Sequence, residues 1–240
     1  MIDKKLVHKR FAKNLDSYHE NAKVQKNMAK RLMTFIKNES PKKILEIGCG
    51  TGFLTELINE NFKFETFDAV DIVEDCKKFI NKINPKINFI VNDIEEFLKN
   101  NEEKYDLIIS NASLQWVSNF DLVINTLKES LNIGGELVFS TFGKENFREI
   151  YYIMGTSLNY YSTLELKEKF CPNLIEPEIY ILSFDSPKEV LKHLQLTGVN
   201  AIENISWTKS DLTKFENGYK NLCSRRITLT YNPIYMCIKK

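Results

Sequence analysis

An acid and three alternating glycines stand together in the run Glu46-Ile47-Gly48-Cys49-Gly50-Thr51-Gly52, directly after a short apolar stretch and just ahead of a helical pattern. Glycine belongs in such a turn when the backbone takes unusual dihedrals and a ligand must come close to the main chain. The chemistry that uses this arrangement is nucleotide-type binding at a helix start. The spacing is G-x-G-x-G, and Phe53 stands where a dinucleotide fingerprint needs its third small residue. A pyrophosphate would be crowded there, which disfavours NAD and FAD. Asp71 lies twenty-one residues beyond Gly50, at the end of the next strand pattern. A carboxylate in that place can accept both hydroxyls of a ribose. Asp93 ends the third strand pattern. It can accept from an adenine amino group, with Ile72 and Ile94 on the ring faces, or it can simply cap the helix that begins Ile94-Glu95-Glu96. Asn111 ends the fourth. All four positions fall where open α/β sheets bind ligands, and together they favour an adenosine-containing molecule.

The elements that must hold these residues alternate along the chain. Strand patterns occur at Lys43–Ile47, Lys63–Asp71, Ile87–Val91, Tyr105–Ser110 and Glu136–Thr141. Helical patterns occupy Phe53–Glu60, Glu74–Ile83, Ile94–Asn100 and Phe120–Leu131, with Asn132-Ile133-Gly134-Gly135 read as a stop and turn. Strand and helix exchanging every 20 to 30 residues implies βαβ units. The fold expected is α/β and doubly wound, a mostly parallel sheet covered on both faces. Ahead of it, residues 1–37 read as one or two amphipathic helices closed by Pro41. After Phe142 the rhythm changes. Residues 144–175 are aromatic-rich and read as helical or irregular, Glu178–Phe184 as a strand, Pro187–Leu196 as a helix and 200–224 as a helical insertion. Thr228–Ile238 reads as one last strand, with a bulge or a late start forced by Pro233.

The composition excludes several classes of function. With 33 Lys+Arg against 32 Asp+Glu the net charge is +1, too little for a nucleic-acid binder that relies on the field of the whole chain. No apolar run reaches a membrane span and the first residues lack a signal-peptide core. Five dispersed cysteines without a CxxC pair point to a reduced, cytoplasmic setting, and three scattered histidines give no zinc spacing. The charge is unevenly spread: residues 1–43 hold twelve Lys/Arg and four acids, leaving −7 on the rest. A basic arm on an acidic body is either a solvated face or a surface that steers an acidic partner.

The EIGCGTG run, with one acid after the second strand and another after the third, resembles the class I S-adenosylmethionine-dependent methyltransferases. The resemblance implies a Rossmann-like, seven-stranded sheet. It places Glu46 near the amino-acid part of the cofactor, with Gly48, Cys49, Gly50 and Gly52 beneath it. Asp71 and Ile72 would sit at the ribose, Asp93 and Ile94 at the adenine, and Asn111 beside them. Longer stretches are similar to the malonyl-acyl-carrier-protein O-methyltransferases of biotin biosynthesis: Arg10-Phe11 with Asp16 to Ala22, Ser110 to Trp116, Phe139 to Gly143 with Glu145 to Glu149, and Leu229-Thr230-Tyr231. That likeness implies a single domain over 1–240. Residues 1–40 form a helical lid, 41–143 the cofactor core, 144–175 and 200–225 substrate-side insertions, and 176–199 and 226–240 the final sheet elements. His19, Asn232-Pro233 and residues 200–224 depart from the family pattern.

In the family reaction S-adenosyl-L-methionine is converted to S-adenosyl-L-homocysteine as a malonyl thioester on an acidic acyl carrier protein becomes its methyl ester. A carboxylate acceptor is already ionised at neutral pH, so no general base is needed and none is expected. A desolvated carboxylate is best met by a guanidinium, for which Arg148 is the candidate, or else Arg148 is a surface residue. Tyr18 and His19 are candidate lid donors, Gln115 and Trp116 candidate walls, and Tyr151 a further lining residue, with core packing the alternative for Trp116 and Tyr151. Lys23, Lys26 and Lys30 of the basic arm would attract the carrier. The other readings are esterification of a small polycarboxylate such as aconitate, methylation of a quinone, or cofactor binding without catalysis.

Overall fold

A computed structural model describes residues 3–197, 208–222 and 226–240. Helices α1 (Lys4–Lys13), α2 (Leu15–Asn21) and α3 (Lys23–Met33) come first, three where the sequence predicts one or two. Asn14 and Ala22 leave helical geometry and break the pattern into three.

The core then alternates as expected. Strand β1 is Lys43–Ile47, helix α4 Phe53–Asn61, β2 Thr66–Asp71, α5 Lys77–Ile83 after a short 3-10 turn, β3 Asn88–Val91, α6 Ile94–Asn100, β4 Tyr105–Asn111, α7 Phe120–Glu129 and β5 Leu131–Phe142. Strands β1 to β5 pair in parallel in the order β3-β2-β1-β4-β5. In the central strands β1, β2 and β4 the Ile, Val and Leu side chains are buried on both faces, which is why the runs read as apolar. Met28, Leu32, Leu54, Ile58 and Ile80 cover one face, and Leu98, Val123, Ile124 and Leu127 the other. The chain leaves β1 toward β2 on one side and returns to β4 on the other. That reversal opens a crevice at the carboxyl ends of β1 and β4.

The remaining elements are α8 (Arg148–Met154), α9 (Thr163–Phe170), β6 (Leu174–Pro177), β7 (Tyr180–Phe184), α10 (Pro187–Leu196), α11 (Lys209–Leu222), β8 (Ile227–Tyr231) and β9 (Pro233–Lys239). β9 runs antiparallel between β5 and β6 and completes a seven-stranded sheet, while β7 and β8 form a separate antiparallel pair.

Three expectations are corrected here. Asn132–Gly135 is not a turn: it lies inside β5, where the pairing with β4 jumps from Tyr105–Leu131 to Leu107–Glu136 and the surplus residues form an irregularity within the strand. Gly134 takes φ +79° there. The strand expected at Glu178–Phe184 is shorter, because its pairing begins only at Tyr180. Thr228–Ile238 is two strands of two sheets, with Asn232 the corner between them. Pro233 opens β9, a first position that needs no ladder donor. The helical insertion at 200–224 holds α11, and its 200–207 and 223–224 portions lie outside the described residues.

Candidate cofactor crevice

Gly48 leaves β1 with φ +66°, and a methyl group at its Cα would stand 2.0 Å from Ser113 Oγ. The contact is that close because Ala112 also takes a left-handed conformation, φ +50°, which turns Ser113 over the loop. Gly52, at φ +86°, is the N-cap of α4, and a side chain there would strike Ile83. Its part is to let the helix start against α5, and it does not line the crevice.

Asp71 holds the loop from the second strand. Its Oδ2 accepts the N–H of Gly50 at 2.8 Å and its Oδ1 accepts that of Val73 at 2.9 Å. Burial raises its pKa, and those two amide bonds oppose the rise. The Cys76 thiol also donates to it, and since a carboxylate offers about four acceptor positions, capacity remains for a hydroxyl lying in the crevice. Glu46 is 1% exposed, and its Oε2 accepts the Thr55 hydroxyl at 2.6 Å. Burial drives its pKa up to about 8; the Thr55 bond opposes this and facing Asp71 adds to it. Such a carboxyl is short of a cation, and an amino-acid ammonium would supply one. Cys49 lines the crevice, but burial and the two carboxylates push its thiol upward, so it is not a nucleophile.

The crevice encloses about 1010 Å³ including its mouth. Glu46, Gly48, Cys49, Gly50, Asp71, Ile72, Asp93, Ile94 and Asn111 line it, so nine of the ten residues expected at the cofactor converge there. Tyr18 and Trp116 line it as well, so Trp116 is a wall and not part of the closed core. Asp93 does cap α6, accepting Glu95 N–H at 2.9 Å, and it also faces the crevice. Lys4 stands against it, Nζ to Oδ2 at 2.7 Å, and bridges to Glu95. Asn111 is fixed by Ser140, whose hydroxyl donates to its Oδ1 at 2.8 Å, and it donates to the Gln25 carbonyl at 3.0 Å.

Several lining residues escape sequence reasoning: Lys4, Val7, Phe11, Thr51, Asn92, Ser113 and Val117. Thr51 lies within the glycine run, and its buried hydroxyl has no partner among the described residues. Lys4, Val7 and Phe11 recur at i, i+3 and i+7, the signature of one helix face. Phe11 lies over Gly50 and packs edge-on against Tyr18, which stacks near Phe53.

Four expected substrate residues are not brought to the crevice. His19 is exposed and packs on Phe53 and Phe79, ring centres 4.9 and 5.7 Å away. Burial in that packing and nearby Lys26 lower its pKa. Gln115 turns its amide back on Ala112, Nε2 to O at 2.7 Å. Arg148, its side chain 42% exposed, pairs with Glu145 at 3.3 Å. Tyr151 is 53% exposed and serves neither wall nor core. Gln115 lies in a 3-10 turn and Arg148 at a helix start, while His19 and Tyr151 lie within the short helices α2 and α8, where facing the crevice depends on how the helix packs.

No group of potential metal ligands occurs among the described residues, and none of their helices is long and apolar enough to cross a membrane.

The donors and acceptors present suit an aminoacyl adenosine: the remaining acceptor capacity of Asp71, a cation-seeking Glu46, a Thr51 hydroxyl unpartnered among the described residues and an apolar floor at Ile72 and Ile94. A family model described as "Methyltransferase domain" matches residues 18–170. Along its whole length the chain is 37% identical to the malonyl-[acyl-carrier protein] O-methyltransferase of Chlorobium luteolum and spans 97% of it. It is also 37% identical, over 96% of its length and 94% of the relative, to the enzyme of that name from Calditerrivibrio nitroreducens. A methyltransferase-like structure from Bacillus halodurans superposes with a TM-score of 0.61 at 13% identity, covering 88% of this chain and 97% of that one, a likeness of fold.

Proposed function

The chain belongs to the methyltransferase-domain family and, within it, to the malonyl-[acyl-carrier protein] O-methyltransferases, and from that membership we propose that it esterifies the free carboxylate of a malonyl thioester carried on an acyl carrier protein. Held by Asp71, Glu46 and the Gly48–Gly52 loop, S-adenosylmethionine would supply an electrophilic methyl group to the substrate carboxylate, its sulfur keeping the electron pair of the carbon–sulfur bond. No proton is exchanged.

The chain's own residues bind, orient and exclude water. Asp71 receives the ribose hydroxyls, Glu46 and the Gly48–Gly52 loop the amino-acid end, and Asp93, Ile72 and Ile94 the adenine. Phe11, Tyr18 and Trp116 close the reacting centre from solvent, and orientation of this kind is worth about 7–11 kcal/mol of barrier in well-aligned systems. On the acceptor side we retain Arg148. Its half-exposed pair with Glu145 is of a kind worth about 0–1 kcal/mol and is readily exchanged for a desolvated substrate carboxylate. The four described cysteines are free thiols, which suits a reaction in the cytoplasm.

The observation that carries this reading is that two buried acids, Asp71 and Glu46, line one crevice beside the glycine loop, a pair suited to the hydroxyls and the ammonium of a cationic adenosine. The test is transfer of a labelled methyl group to malonyl-carrier protein, malonyl-CoA and aconitate, beside calorimetry with S-adenosylmethionine. We expect the carrier thioester to be the preferred acceptor. Methylation of aconitate alone, or binding with no transfer to any carboxylate, would refute it.

A further inference from the structure

Helix α1 has two chemically distinct faces. Lys4, Val7 and Phe11 point into the cofactor crevice. Lys5, Lys9 and Lys13, spaced four residues apart, form an exposed row on the same helix. Lys4 is fully engaged by Asp93 and Glu95, whereas none of the three outer lysines has a carboxylate partner among the described residues. The rise of an α-helix sets them about 6 Å apart along its axis, the repeat at which an acidic helix laid alongside would present carboxylates. α1 is therefore a cofactor-covering element with unsatisfied positive charge on its back.

Resting on the reading above, in which the acceptor arrives tethered to a carrier, we propose that the Lys5–Lys9–Lys13 row is the docking strip for the acidic carrier protein, and that docking there holds α1 down over the bound cofactor. A tethered thioester reaches the methyl group only if its carrier sits at the crevice mouth, and α1 is the basic element that forms part of that mouth. Lys23, Lys30 and Arg31, exposed cations farther along the N-terminal segment, lie on α3, whose inner face is buried against the core and does not line the crevice, and Arg31 is paired with Glu176. Lys26 is committed to the Phe53 ring, 4.6 Å from its centre. The strip is thus narrower than the basic arm as a whole, and it lies on a different helix from the lysines that the sequence singles out.

The test compares the wild type with K5E/K9E/K13E, with the milder K5A/K9A/K13A, and with K23E/K30E as a charge-reversal control on α3. Each is assayed with malonyl-carrier protein and with a short malonyl thioester lacking the protein. At low salt the triple reversal is expected to raise KM for the carrier substrate by about tenfold or more with little change in kcat, and the alanine variant by a smaller factor. KM for the short thioester and the affinity for S-adenosylmethionine should stay within about twofold, and salt near 0.5 M should erase the difference. Unchanged KM for the carrier, an equal rise for both acceptors, or the same effect from K23E/K30E would each overturn the strip while leaving the function intact. A row that proves to bind a DNA duplex and not the carrier would do so too. If the wild type methylates no carrier thioester at all, the function itself falls and takes the strip with it.

Discussion

Asp71 Oδ2 and Gly50 N are 2.8 Å apart, so the carboxylate that would grip the ribose also ties down the glycine loop that would run beneath the cofactor. Losing it therefore damages binding twice. Asp71→Ala should weaken S-adenosylmethionine binding by about 10- to 100-fold in calorimetry, the range expected for hydrogen bonds to a charged group. Asp71→Asn, which keeps the shape and one acceptor oxygen, should fall between. Affinity within about twofold of wild type in the alanine variant would remove Asp71 from the cofactor site.

Gly48 and Ser113 make a second pair that can be tested against each other. Gly48→Ala adds a methyl group 2.0 Å from Ser113 Oγ and also forces a side chain onto a left-handed backbone. Ser113→Gly in the same chain removes the collision but not the backbone strain of about 1–2 kcal/mol. The single variant should lose cofactor binding and melt several degrees lower, and the double should recover only part of both. Full recovery would mean the steric contact is everything, and none would mean Ser113 has its own part in binding.

Glu46 makes stability depend on pH in an unusual direction. Its pKa rises from the ordinary 4.5 to about 8 in the fold, so between those values the native state holds a proton that the unfolded chain has released. Stability of the ligand-free protein should then fall as pH rises through this window, by on the order of 2 kcal/mol between about pH 6 and pH 8. Urea midpoints at the two pH values measure it. Glu46→Gln should flatten the slope, and an identical slope in that variant would assign the effect elsewhere.

His193 works the other way. Its Nε2 lies 2.8 Å from the buried Tyr231 hydroxyl, and burial lowers its pKa from 6.5 to about 4. The neutral ring's contribution is complete above about pH 6.5 and is lost as pH falls toward 4. His193→Gln should shrink the drop in melting temperature between pH 7 and pH 5 seen in the wild type. A drop of the same size would show that other groups carry it.

Arg148→Ala should raise KM for the malonyl thioester severalfold while the dissociation constant of the cofactor stays put, because the residue touches no wall of the crevice. Arg148→Lys keeps the charge but loses the two-pronged geometry, so it should recover little. An unchanged KM would leave Arg148 as nothing more than the partner of Glu145.

Much of the cofactor side was legible in the sequence because its signals are local. Each of β1 to β4 is a short apolar run, Asp71 ends its strand, Asp93 follows the next by two residues, and a glycine turn declares itself by composition. What escaped depends on where distant elements meet. Lys4, Val7 and Phe11 line the crevice only because α1 folds over a loop forty residues away in sequence. Asn132–Gly135 has the composition of a turn, yet it is held inside a strand by pairing on both sides, with Gly134 N–H reaching the Lys240 carbonyl at 3.0 Å. Arg148 and Tyr151 follow β5 closely in sequence, yet their side chains turn away from the crevice. The end of one strand and the start of the next cannot be parsed at Asn232 without knowing that two sheets share it.

Asn232 is a mechanical knot. Its carbonyl takes Gly143 N–H at 2.8 Å, its side-chain oxygen takes Glu145 N–H at 3.2 Å, and its amide donates to Glu178 O at 2.9 Å. The end of β5, the approach to α8 and the link from β6 to β7 are thereby fastened to one residue. Any displacement of the two-stranded sheet would therefore bear on the end of β5, the strand whose Ser140 pairs with Asn111.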